Sequence, residues 1–316
     1  MLRHRSLFIF TLLIFSFKTS FAQEFKDSLN TGSGELYGSL VVPSVSKEKI
    51  PVVLIIAGSG PTDRNGNNIA GINCNAYKML ADSLAKYGIA SLRYDKRGVA
   101  ESRLAVTDES KLTIEAYIND AKMWMDQLKS DTRFSKIIVL GHSEGSLLGI
   151  VACARTKADG LISVAGIGRS ADLILHEQLS NLPDTLKNES YGYLTKLKSG
   201  DTIAHPNPLL NSLFRPSVQP YLISWFKYDP SEEIQKLKIP VLIVQGTHDI
   251  QVDTTDAILL HKASPQSQLS MIEGMNHIMK VAPADRTENI KTYSDPNLPL
   301  DGKAVKTIVD FVKNLK

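Results

Sequence analysis

Cysteine is scarce in this chain, with two residues, Cys74 and Cys153, among 316. That excludes a small disulfide-stapled scaffold, and a domain of this length buries enough core to need no staple. Two free, mostly buried thiols are the expectation. There is no internal repeat and no low-complexity segment, so a solenoid or a disordered tail is excluded. Net charge is nearly absent once its source is located. The formal +3 equals the three cations of the first 22 residues, Arg3, Arg5 and Lys18, and that stretch carries no acid. The remainder holds 33 lysines and arginines against 33 acids. Nothing in that balance points to nucleic acid or to an anionic membrane surface.

The N-terminus has the form of an export signal. A basic start, Met1 to Arg5, leads into Leu7 to Phe17, apolar apart from Thr11 and Ser16, and then Lys18-Thr19-Ser20-Phe21-Ala22. The apolar core is too short to span a bilayer comfortably, and no cysteine follows it to take a lipid. Cleavage after Ala22 takes 22 of 316 residues and leaves 294. The expected localisation is periplasmic or secreted, with no stable membrane anchor after cleavage.

The chain turns on one stretch, Val139-Leu140-Gly141-His142-Ser143-Glu144-Gly145-Ser146-Leu147. Ile137 to Leu140 is an apolar run suited to a buried central strand. Leu147, Leu148, Ile150 and Val151 suit a helix packed beneath a sheet. Between them lies Gly-x-Ser-x-Gly, a turn that lifts a serine hydroxyl above the sheet edge. The flanking glycines leave room for the neighbouring strand and helix, and the N–H of Glu144 falls at a helix start, aimed where an oxyanion forms.

Further strands are expected at Glu35–Val42, Val52–Ala57, Ile89–Tyr94, Leu161–Ala165, Pro240–Gln245 and Gln268–Ile272, with helices at Tyr77–Tyr87, Ile114–Leu128 and Ala304–Val312. This alternation predicts an α/β fold with a doubly wound, mostly parallel sheet. It breaks from about Gly168 to Lys238, where short helical patterns and prolines replace strands. The domain plan is a signal at 1–22, a core in two parts at 23–167 and 239–316, and a helical cap insertion at 168–238. Trp225 and Phe226 of the insertion are candidate pocket walls; a cap-core role for them is the competing reading.

A serine nucleophile needs a base and a group that orients the base. Of seven histidines, His4 leaves with the signal and His142 sits inside the turn. His176 and His205 belong to the insertion, His261 to a solvent-facing helix, and His248 lies beside Asp249. His277 follows the last strand on a loop able to swing over Ser143. Asp249 follows strand and glycine turn in Gln245-Gly246-Thr247-His248-Asp249; Asp253 and Asp256 fall further on, as helix caps or linings. The order Ser143, Asp249, His277 is the one this architecture requires. Gly58-Ser59-Gly60 after the central strand offers the N–H of Ser59 as the second oxyanion donor. Asp63 and Arg64, next on that loop, either face the pocket or pin the loop as an ion pair.

These residues resemble the α/β-hydrolase superfamily, and more narrowly bacterial esterases related to serine aminopeptidase-like hydrolases. The similarity rests on Gly58-Ser59-Gly60-Pro61-x-Asp63-Arg64, Arg93-Tyr94-Asp95-Lys96-Arg97-Gly98, the serine turn, Gly246-x-x-Asp249 and Asn276-His277. It implies the helical cap, the triad Ser143, Asp249 and His277, and no cofactor or metal. Departures are Ala57 for histidine, Ala100 for glycine and Ser146 for glycine, all small, which implies tuning. The Arg97 loop is expected to be structural. The function expected is cleavage of a small carboxylic ester through an acyl-enzyme. Two alternatives stand beside it. An exopeptidase with the same triad takes a short peptide and needs a cap carboxylate for the α-amine, with Glu177, Glu189 and Asp229 as candidates. A non-catalytic binder keeps only the fold.

Overall fold

Apolar side chains alternate sides along the central strands, and the sheet is buried on both faces as a result. A computed structural model describes residues 22–44 and 48–315. Eight strands form one sheet: β1 (Ala22–Asn30), β2 (Glu35–Pro43), β3 (Ile50–Ile56), β4 (Ala90–Tyr94), β5 (Phe134–His142), β6 (Gly160–Val164), β7 (Val241–Gly246) and β8 (Gln268–Ile272). Their order is β1-β2-β4-β3-β5-β6-β7-β8, antiparallel at β1/β2 and β2/β4 and parallel from β4 onward. In β3, Val52, Leu54 and Ile56 join one core cluster while Val53 and Ile55 join the other. Period-2 alternation of wholly apolar residues does this, as a strand covered on both faces requires.

Helices α1 (Ala76–Lys86), α2 (Ile114–Ser130) and α3 (Glu144–Arg155) follow β3, β4 and β5. In 168–238 lie α4 (Ala171–Gln178), α5 (Asp184–Lys198), α6 (Asn211–Phe214), α7 (Gln219–Trp225) and α8 (Pro230–Ile234), and no strand is described there. The chain closes through α9 (Thr254–Ala263), α10 (Arg286–Lys291) and α11 (Gly302–Asn314). Trp124 of α2 and Leu147 of α3 pack on one face of the sheet, Leu80 of α1 and Ile308 of α11 on the other. The expected doubly wound, mostly parallel sheet is the sheet observed.

β1 was not expected from the sequence. Its residues are mostly exposed and polar, with no apolar alternation. Nine rungs of pairing with β2 hold it at the sheet edge, where charged side chains are the norm. The expected signal at 1–22 lies outside the described residues except for Ala22, the first residue of β1. Both cysteines are buried and free; burial pushes the Cys153 thiol up to about 12. Among the described residues no helix is long and apolar enough to cross a membrane.

Candidate active site

Parallel strands end along one edge, and the site is assembled there from the loops after β3, β5, β7 and β8. β5 ends at His142 and α3 starts at Glu144, which leaves Ser143 between them at φ 54° and ψ −121°. A positive φ on a residue with a Cβ costs of order 1–3 kcal/mol and persists only where neighbours fix it. Ser143 N–H donates to Val164 O at 2.9 Å, and Ser146 N–H donates to Ser143 O at 2.9 Å. The flanking glycines are steric necessities. A Cβ on Gly141 would stand 2.1 Å from Gly145 O, and one on Gly145 would stand 2.3 Å from Ile56 O. Ser143 itself is only half-buried.

Beyond β7 the chain turns through Gly246 and presents Asp249. Its Oδ2 lies 2.8 Å from His277 Nδ1. Gln245 Nε2 donates to the same oxygen at 3.1 Å, while the N–H groups of Gln251 and Val252 donate to Oδ1 at 2.8 and 3.0 Å. Burial pushes this carboxyl up. The His277 imidazole and those backbone donors together outweigh burial and hold it below its ordinary value. An ionised Asp249 accepts a hydrogen bond from the Nδ1–H of His277, which leaves Nε2 as an acceptor. The loop carrying His277 is closed by Asn276 N–H to Lys280 O at 2.9 Å and Asn276 Nδ2 to Thr292 Oγ1 at 2.8 Å.

The loop after β3 passes directly against the serine turn: a Cβ on Gly58 would lie 3.3 Å from Ser143 Cβ. Ser59 follows Gly58, and Glu144 follows Ser143 at the first position of α3, where N–H groups have no acceptor within the helix. Gly58 N–H donates to the Tyr77 hydroxyl at 3.1 Å. That hydroxyl donates to His142 Nδ1 at 2.8 Å, and His142 Nε2–H donates to His277 O at 2.7 Å. Burial, then the neighbouring His277, depress the His142 pKa to about 3, so this ring stays neutral. It is a strut between two loops.

The four candidate pocket residues Asp63, Arg64, Trp225 and Phe226 have other partners in the packing. Asp63 Oδ1 accepts the N–H groups of Asn65 and Asn67 at 2.8 and 2.9 Å. Arg64 pairs with Glu101 at 2.7 Å and with buried Asp95 at 3.5 Å. They pin the loop separately rather than as a mutual ion pair, and neither lines the cleft that Gly60 and Pro61 border. Trp225 and Phe226 are 8% and 2% exposed within the core that joins the insertion to the sheet. They share that buried cluster with Phe214 and Leu222, and the Trp225 ring lies 5.8 Å from that of Tyr221.

The cleft beside the oxyanion loop has a volume of about 470 Å³ and is walled by Gly60, Pro61, Ile69, Leu112, Tyr117, Val218 and Tyr221, with Arg97 and Arg215 among its polar groups. A second cavity of about 630 Å³ borders Asp249 and Gln251, away from the serine turn. Arg97 is bound to buried Asp120, as a structural loop residue should be. Of the three carboxylates considered for an α-amine, Glu177 pairs with Arg169 at 3.0 Å, Glu189 holds Asn207 at 2.8 Å, and Asp229 caps α8 at 2.8 Å. Sequence reasoning missed Tyr77, Lys96, Tyr221 and Gln245. Lys96 carried a usable signal, a lysine two residues past the end of β4. Tyr77 and Tyr221 depend on contacts between distant segments, whereas Gln245 reaches Asp249 only four residues on. Among the described residues no cluster of His, Cys, Asp and Glu could hold a metal ion.

Sheet order, crossover helices and a serine turn at the strand ends define the class of fold, that of the α/β hydrolases. The family described as serine aminopeptidase, S33, matches residues 70–192. Esterase EstD of Thermotoga maritima is 29% identical over 258 residues, which is 77% of this chain and 58% of that protein. Proline iminopeptidase of Saccharolobus solfataricus is 26% identical over 251 residues, covering 68% of this chain and 79% of that one. Among solved structures, Est1E from Butyrivibrio proteoclasticus superposes with a TM-score of 0.58 at 18% identity, covering 91% of this chain and 98% of that one.

Proposed function

We propose that this protein is a serine hydrolase cleaving a small carboxylic ester. One observation carries the reading: a half-buried serine in a left-handed turn shares a sheet edge with an Asp249–His277 pair 2.8 Å apart. In the reaction, Ser143 Oγ attacks the ester carbonyl while His277 Nε2 takes its proton. The N–H groups of Ser59 and Glu144 hold the oxyanion. Collapse breaks the C–O bond, and His277 gives its proton to the departing alcohol. Water then attacks the acyl-enzyme, His277 again takes and returns a proton, and the acid leaves. Asp249 stays ionised and keeps the imidazole in the tautomer this requires. The similarity to an esterase supports an ester over an amide. Glu177, Glu189 and Asp229 are each engaged in bonds within the chain, which favours the ester reading. The insertion contributes Val218 and Tyr221 to the cleft and so acts as a cap.

The test is a fluorophosphonate probe with a panel of acyl esters and aminoacyl amides. The expected result is covalent labelling and ester turnover, both abolished in Ser143→Ala. Labelling that survives this substitution assigns the nucleophile elsewhere, and amides turned over ahead of esters would favour a peptidase.

A further inference from the structure

One buried charged cluster touches both oxyanion peptides and has no part in the proton transfers above. Lys96 and Glu144 are each 1% exposed. Lys96 Nζ donates to Gly58 O at 2.6 Å and to Glu144 Oε1 at 3.0 Å, and stands 4.8 Å from the centre of the Tyr117 ring. The Tyr221 hydroxyl, from α7, donates to the other carboxylate oxygen at 2.5 Å. Burying an ion pair gains little stability over an apolar pair of the same size, so stability gives no reason for charge here. Position does. The carbonyl of Gly58 belongs to the same peptide unit as the N–H of Ser59. In a planar trans peptide the two point in opposite directions, so fixing one aims the other. A cation on that carbonyl also polarises the unit and strengthens the N–H as a donor. The second partner of Lys96 is the side chain of the residue whose N–H is the other donor. Glu144 places a negative charge beside a site that must stabilise negative charge, and Lys96 and Tyr221 engage its two oxygens.

We propose that Lys96 is a positioning residue for the oxyanion hole, holding both donor peptides in place and cancelling the Glu144 charge, with Tyr221 making that arrangement depend on the docked insertion. This rests on the serine hydrolase reading above. Burial, reinforced by the Glu144 charge, pushes the Tyr221 phenol well up, which keeps it a neutral donor. The arrangement also accounts for a glutamate directly after the nucleophile: its carboxylate is the handle by which α7 and the loop after β4 both grip the start of α3.

The experiment compares the full chain with Lys96→Met, Lys96→Met/Glu144→Gln, Tyr221→Phe and Ser143→Ala. It measures kcat and KM for one ester, the inhibition constant of the matching trifluoromethyl ketone, whose serine adduct carries the oxyanion, and Tm. Removing one oxyanion donor outright costs about 100- to 1,000-fold in kcat. Lys96→Met leaves an unmatched charge as well as a loose peptide, and is expected to lose about 100-fold in kcat with KM little changed. The uncharged double variant recovers part of that, to a loss of about 10-fold, and Tyr221→Phe loses severalfold. The ketone should weaken by the same factors as kcat, which a merely structural role would not produce. If Lys96→Met does not fold, the double variant and Tyr221→Phe decide. A double variant with wild-type kcat and ketone inhibition overturns the inference. Turnover that survives in Ser143→Ala instead overturns the reading beneath it, so the two failures are separable.

Discussion

His142 and Ser143 are neighbours in the chain with opposite environments. Ser143 is half-exposed in a left-handed conformation, while His142 is buried between the Tyr77 hydroxyl and the His277 carbonyl. The serine was legible because its glycine neighbours and the strand and helix around it are local features. The strut through His142 was not, because Tyr77 and His277 come from segments 65 and 135 residues away. Its depressed pKa, about 3 against an ordinary 6.5, carries a consequence for stability. The unfolded chain binds a proton at His142 below pH 6.5 and the folded chain does not until about pH 3. Stability from this residue is therefore complete above 6.5 and is lost as pH falls through that window, by about 1.4 kcal/mol per pH unit. His142→Gln keeps a neutral amide there and removes the titration. Tm measured from pH 7 to pH 4 should fall more steeply for the wild type than for the variant. Parallel curves would mean His142 protonates freely in the folded state.

At the scale of elements, what was read correctly has strong local signal. β3, β5 and β7 each contain an apolar run, Val52–Ile56, Ile137–Leu140 and Val241–Val244, and the Thr113 side chain before α2 caps Ala116 N–H. β1 has no such signal, since an edge strand is specified by its partner. The insertion was recognisable as helical, yet which of its side chains face the cleft was not. Tyr221 and Trp225 are four residues apart on α7, adjacent on one helical face, and they divide the work. Tyr221 borders the cleft and Trp225 packs inward. Truncating Trp225 or Phe226 to alanine should cost about 3–5 kcal/mol by cavity formation and lower Tm by roughly 10 °C, with the acyl-length profile unchanged. Val218→Phe, at the cleft wall, should do the reverse. It should leave Tm nearly unaltered and shift preference toward short acyl chains, since each excluded methylene is worth about 0.8 kcal/mol, a fewfold in kcat/KM. Acyl-ester profiles measured beside melting curves check both, and an altered profile in Trp225→Ala would return that ring to the pocket.

At the scale of the whole molecule, the insertion and the sheet do not have separate cores. Leu197, Phe214, Trp225, Phe226 and Leu237 belong to the same buried cluster as Trp124, Leu147 and Val139. Polar ties run across the same boundary. Ser224 Oγ accepts the N–H of Ile114 at 2.9 Å, and Arg215 Nε pairs with Glu109 at 2.8 Å. A division of the sequence into core and cap at 168 and 238 follows chain order and strand count, which say nothing of how much surface two parts share. An insertion that only touched the sheet through a polar interface would unfold at its own temperature. Here, losing the insertion exposes the apolar side of α2 and α3, and losing those helices strips the insertion of the surface that buries its aromatics. The two parts should therefore unfold as one cooperative unit. Scanning calorimetry should show a single transition whose calorimetric and van't Hoff enthalpies agree. Ester activity, Trp fluorescence and far-UV circular dichroism should be lost at one denaturant midpoint. Activity disappearing ahead of the circular dichroism, with a first transition of small enthalpy, would show that the insertion melts by itself and that the shared cluster contributes little across the boundary.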